Sequence, residues 1–67
     1  MLKAKFYYYN SEELRYAIAK FENFNDIATI TNVNEDYFVI SATFSAVIDI
    51  YFLAGLTRAT KIEEIEE

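Results

Sequence analysis

The chain opens on alternation. In residues 2–9 (LKAKFYYY), Leu2, Ala4, Phe6 and Tyr8 fall on one side, and Lys3, Lys5, Tyr7 and Tyr9 on the other. That period of two predicts a strand with one dry face. The period then changes. Leu14, Ala17, Ile18 and Phe21 recur at helical spacing and form one apolar stripe, leaving Arg15, Lys20 and Glu22 for solvent. Asn10 as N-cap puts Glu13 at N3, a capping-box arrangement, and Glu12 and Glu13 suit the positive end of the helix dipole. Asn23 is the expected left-handed residue that ends the helix. Residues 26–33 (DIATITNV) predict a second strand. Asn34, Glu35 and Asp36 predict a turn, and a third strand begins at Tyr37, so that 26–44 form a hairpin.

Residues 45–56 support two readings. Every even position from Phe38 to Leu56 is apolar, which favours one extended or bent strand reaching about residue 53. The rival is a helix with Ser45 as N-cap and Gly55 just past its end. Residues 57–67 (TRATKIEEIEE) favour a helix by composition, with four Glu opposing its dipole at the far end. The first reading gives an α+β fold: a small antiparallel βαββ sheet packed on one helix, with a C-terminal helix. The second gives a compact ferredoxin-like βαββαβ sheet. Either way a single domain is expected over residues 1–62, followed by an acidic tail at 63–67.

Composition narrows the chemistry. The 67 residues include no Cys, His, Trp or Pro and one Gly, and the net charge is -5. No disulfide framework or thiolate nucleophile is available, nor the usual Cys and His ligands of zinc, haem or iron–sulfur sites. The commonest general base is absent as well. No Ser–His pair, Gly-rich phosphate loop or metalloprotease helix occurs, so the expectation is a non-enzymatic protein without cofactor or metal. An acidic chain is a poor nucleic-acid binder. Removing Glu63, Glu64, Glu66 and Glu67 leaves seven acidic residues against six basic ones, so the excess charge sits in the expected tail and reads as solubilising. The start of the chain lacks the apolar run and cleavage site of a secretory signal. Tyr37 to Thr57 is near-apolar, but Asp49 inside it would cost about 2.5–3.5 kcal/mol in a bilayer, so no membrane span is expected. An intracellular location, the cytoplasm or a host's cytoplasm, follows from the same features.

The twelve aromatic residues, six Phe and six Tyr, are the unusual feature. A core of this size rarely supplies more than about 3–5 kcal/mol. A homo-oligomer is therefore expected as a further source of burial. Lys3, Lys5, Tyr7 and Tyr9 line the second face of the first strand, with Tyr37, Val39, Ser41 and Thr43 beside them on a neighbouring strand. Tyrosine is amphipathic and loses little rotamer entropy, which suits a macromolecular interface. Asp49 stands alone in an apolar run, on the same extended face as Tyr51, either solvated or paired with a cation such as Arg15 or Arg58. Asn32, Asn34, Glu35 and Asp36 gather oxygens in one turn, without the spacing or glycine of a calcium loop.

The candidate contact residues are thus Tyr7, Tyr9, Tyr37 and Tyr51, with Lys3, Lys5 and Asp49 setting register and charge. In size, acidity and aromatic content the whole chain is similar to small accessory and inhibitor proteins encoded by phages and mobile elements. That likeness implies a protein partner that is modulated or inhibited. Two other functions remain open: a small-ligand binder holding a nucleotide-like molecule in a Tyr-lined site between subunits, and a structural assembly subunit.

Overall fold

The computed structural model describes residues 2–66. Strand β1 (Leu2–Tyr7) follows the predicted alternation, with Ala4 and Phe6 buried and Lys3, Lys5 and Tyr7 half-covered. Helix α1 (Ser11–Glu22) starts where the capping residues predict: the Glu13 N–H donates to Asn10 Oδ1 at 2.8 Å. Its end differs from expectation. Asn23 is the C-cap but keeps a right-handed φ of -78°, and the chain continues through further tight turns to Ala28. Strand β2 (Ala28–Asn34) and strand β3 (Val39–Phe44) form the expected hairpin. Tyr37 lies in its turn and not in the strand, because Phe38 adopts a left-handed φ of 58° that breaks the extended run.

The strand expected to run to about residue 53 is replaced by helix α2 (Val47–Leu56). Phe44 pairs with Leu2 on one side and with Ala28 on the other, and both ladders end there. An extended continuation would leave its backbone N–H and C=O groups unpaired on both edges. Folding back as a helix satisfies them and buries Ile50 and Leu53. The helical alternative is therefore the one realised, although its caps lie elsewhere. Ala46, not Ser45, is the N-cap and makes no side-chain bond. Gly55 is inside the helix and Thr57 caps it. Arg58 takes the left-handed position, φ 61°, that glycine usually fills. Two closing bonds complete a Schellman turn: Ala59 N–H to the Ala54 carbonyl at 3.0 Å, and Arg58 N–H to the Gly55 carbonyl at 3.3 Å. The Arg58 guanidinium lies 5.0 Å from the centre of the Tyr16 ring, which ties this turn to α1.

The expected C-terminal helix is also absent. Residues 61–66 form strand β4 (Lys61–Glu66), antiparallel to β1. Composition favoured a helix, but pairing with β1 decides the matter: Ile62 lies opposite buried Phe6, and Lys5 faces Glu63 across the ladder. Residues 63–66 therefore belong to the sheet, which corrects the expectation of an acidic tail beyond a domain ending at residue 62. The part of that tail at residue 67 lies outside the described residues.

The element order is β1-α1-β2-β3-α2-β4, and the four-stranded sheet runs β2-β3-β1-β4 with every neighbour antiparallel. This α+β fold is the ferredoxin-like arrangement of two interleaved, split βαβ units. Both helices contribute to one core with the same face of the sheet. There Phe6 meets Phe21 of α1 edge-on at 5.4 Å and stacks with Phe44 at 5.5 Å. Leu14, Ala17, Ile40, Ala42, Ile50 and Leu53 fill the remainder. Each large apolar side chain fully buried in this way contributes about 1.5–3 kcal/mol.

One polar chain crosses this core. Thr57 Oγ1 donates to the Leu53 carbonyl at 2.6 Å, so the Tyr8 hydroxyl donates to Thr57 Oγ1 at 2.8 Å. Burial pushes the Tyr8 phenol up to about 12, against the smaller lowering effect of the Thr57 bond. In the unfolded chain the same phenol titrates near 10. Above that pH the unfolded state loses its proton first, so stability is lost as pH rises from about 10 to about 12. Alkaline unfolding of wild type and Tyr8→Phe checks this. The variant is expected to be less stable at neutral pH by about 0.5–1.5 kcal/mol and to decline less steeply across that window. Deleting residues 63–67 is expected to remove four of the six residues of β4 and lower Tm measurably by circular dichroism; an unchanged melt would contradict the packing of β4.

Candidate functional site

With both helices on one side, the other face of the sheet is uncovered. Alternation sends Lys3, Lys5 and Tyr7 of β1 to this side. Lys3 lies between Thr43 and Ile65, Lys5 between Ser41 and Glu63, and Tyr7 between Val39 and Lys61. The predicted neighbours Val39, Ser41 and Thr43 are thus beside the Lys/Tyr row. From β2, Thr29, Asn32 and Asn34 extend the same face. A register shift between Ile30 and Asn32 marks a bulge at Thr31, whose hydroxyl donates to the Ser41 carbonyl at 3.2 Å. The bulge interrupts the outer edge of β2 and discourages pairing with another strand.

Lys5, Tyr7, Asn32, Asn34, Tyr37, Val39 and Ser41 line a shallow recess of about 280 Å³ on this face. Its floor is formed by Val39 and Ser41, both buried. Its rim is wet: Tyr37 is 74% exposed. Lys61 Nζ sits 5.3 Å from the centre of the Tyr7 ring, and the Tyr7 hydroxyl donates to Glu63 Oε1 at 3.4 Å. The Lys61 ammonium therefore covers one face of that ring. Asn34 has a structural task as well. Its Oδ1 accepts from the N–H groups of Asp36 and Tyr37, at 3.0 and 3.2 Å. That Asx turn holds Tyr37 at the rim. A larger depression of about 390 Å³ lies between Phe21 and Glu22 at the end of α1, Asn25 beyond it, and Ala28–Ile30 of β2, and no Lys or Arg lines it.

The seven candidate contact residues divide. Lys3, Lys5, Tyr7 and Tyr37 come together on the open face. Tyr9, 78% exposed, lies past the end of β1 and does not line the recess. Tyr51 and Asp49 belong to α2, in the opposite layer. The Tyr51 hydroxyl donates to Glu64 from there, and that hydrogen bond to a carboxylate raises its pKa. Asp49 is half-buried in the first turn of α2, where the helix dipole favours its charge. Both were placed with Tyr7 by a strand reading that the helix replaces.

Sequence reasoning missed Lys61 and Glu63 for the related reason that β4 was read as helix and tail. It also missed the outward side of α2, where Val47, Ile48, Tyr51 and Phe52 are exposed. The near absence of polar residues from 46 to 56 was the available signal. A helix of that composition cannot bury all its sides on one sheet.

Among the described residues, no group of three or more His, Cys, Asp or Glu side chains is placed to hold a metal ion, and no helix is long and apolar enough to cross a membrane. No family model matches the chain, and no curated protein or solved structure matches it.

Asn34→Ala removes the acceptor for two turn N–H groups. It is expected to cost about 1 kcal/mol, a fall in Tm of roughly 4–8 °C. A melt within a degree of wild type would show that the turn holds without it.

Proposed function

We propose that this is a non-enzymatic interaction protein that binds an acidic surface of a protein partner through the open face of its sheet, and so modulates or inhibits that partner. The observation that carries this reading is the local reversal of charge. A chain of net charge -5 places Lys3, Lys5 and Lys61 on one uncovered face against Glu63, with Tyr7 and Tyr37 among them. Tyrosine is among the residues enriched at protein-contact surfaces, and the lysines set the sign of charge a partner must carry. The overall negative charge and Glu63 disfavour a long phosphate backbone. A chain without cysteine suits a reducing, intracellular setting.

A nucleotide-like ligand is the second reading, favoured by the grouping of Lys5, Tyr37, Asn32 and Asn34 around the recess. The recess falls just below the ~300–1,000 Å³ usual for small-molecule pockets. Lys61 also takes one stacking face of Tyr7. Both points favour a macromolecule over a small molecule.

Affinity capture from the native host, with wild type beside Lys5→Gln and Tyr37→Ala, tests the proposal. One protein is expected to be retained by wild type, lost from both variants, and weakened by added salt. The same capture by all three, or release of a nucleotide from denatured wild type, would overturn it. Both substitutions lie at exposed or half-exposed positions, so circular dichroism is expected to show unchanged folding.

A further inference from the structure

The helix layer presents a second surface, unlike the first. Val47, Ile48, Tyr51 and Phe52 occur at i, i+1, i+4 and i+5 of α2 and share its outward side. Ile48 is 75% exposed, more than any other aliphatic side chain among the described residues that stand out from the core. Gly55 continues the stripe one turn further, and nothing outside the helix lies within 4 Å of where a Cβ would stand. None of these five positions carries a charge, in a chain that is strongly acidic.

We propose that this side of α2 is where two copies of the chain meet, antiparallel about a two-fold axis passing between residues 51 and 52. The stripe is complementary to itself in that arrangement. Ile48 and Gly55 are equally distant from the axis, so Ile48 of each copy stands over Gly55 of the other, a knob above an empty place. Tyr51 and Phe52 flank the axis, so Tyr51 of each copy packs against Phe52 of the other, as an isologous contact requires. A foreign partner has no reason to match the spacing of 48 and 55; a second copy matches it by symmetry.

Charge favours the same choice. Two molecules of net charge -5 repel, and they meet at least desolvation cost along a stripe that carries no charge of its own and is bordered at Tyr51 by the Glu64 carboxylate, already hydrogen-bonded to the Tyr51 hydroxyl. The four exposed side chains offer on the order of 450 Å² per copy, within the ~300–600 Å² of the largest apolar patch on an ordinary monomer, a patch that is often functional. Burying about 900 Å² in total gives a small, reversible dimer. This contact leaves the Lys/Tyr face of the sheet uncovered, so it stands or falls separately from the function proposed above.

Cysteine pairing tests the geometry, because the chain has no cysteine of its own. Ile48→Cys and Gly55→Cys both fall at exposed positions, and the open space at residue 55 admits the new side chain. Within one helix the two sites are about 10.5 Å apart, beyond the ~7 Å limit for a disulfide, so any bond must join two chains. The double variant, shown to be folded by circular dichroism, is expected to form a covalent dimer under mild oxidation at least tenfold faster than either single variant. Equal rates for all three would overturn the proposed arrangement.

Discussion

Phe6 is the side chain on which the rest of the molecule depends. Its ring meets Phe21 of α1 edge-on and Phe44 of β3 in a stack, while its backbone lies opposite Ile40 on one side and Ile62 on the other. Strand β1 is one of the two central strands, paired with β3 and β4, and its residues 4 and 6, with Tyr8 just past its end, are all buried. Aromatic contacts of this geometry add about 0.5–1.5 kcal/mol each beyond the area they bury. In a core whose whole net yield is about 3–5 kcal/mol, that is a large share. It also explains why the polar strand β4 is ordered: it closes the open side of β1 over Phe6.

A core built on one side of a sheet leaves two surfaces to be accounted for. The open face of the sheet has a buried floor of Val39 and Ser41 and a rim of Lys and Tyr. The outward side of α2 is uncharged and mostly apolar, its one polar group the Tyr51 hydroxyl. They differ in the way that binding surfaces with different tasks differ. The first is charged and amphipathic, suited to steering and registering a partner of opposite charge. The second lacks charge and pairs a protruding Ile48 with a vacant Gly55, suited to self-association. The two lie in opposite layers, so both can be engaged at once.

The sequence was most legible where polar and apolar positions contrast. The alternation of residues 2–9, the stripe from Leu14 to Phe21 and the Asn10 cap each identified an element, and Lys3, Lys5 and Tyr7 were placed beside Val39, Ser41 and Thr43 as found. Between 46 and 56 the contrast vanishes. With almost every position apolar, a period of two and a period of 3.6 fit equally well, and the end of both ladders at Phe44 decided for the helix. In 61–66 the local preference of Lys and Glu pointed to helix, and β1 overrode it, as tertiary pairing does for strands of weak intrinsic preference. The misplacement of Tyr51 and Asp49 and the omission of Lys61 and Glu63 both descend from these two segments. The caps of α2 were illegible for a further reason: neither Ala46 nor Arg58 is a residue that announces a helix end.

That the molecule hides its surplus apolar surface in a second copy is the claim on which the account turns. Sedimentation equilibrium of the wild-type chain over a range of concentrations measures it most directly. The expected result is a weight-average mass that climbs from 7.8 kDa at high dilution toward twice that value and stops there. A mass that stays at a single chain up to millimolar concentration would contradict the account, as would one that grows without limit.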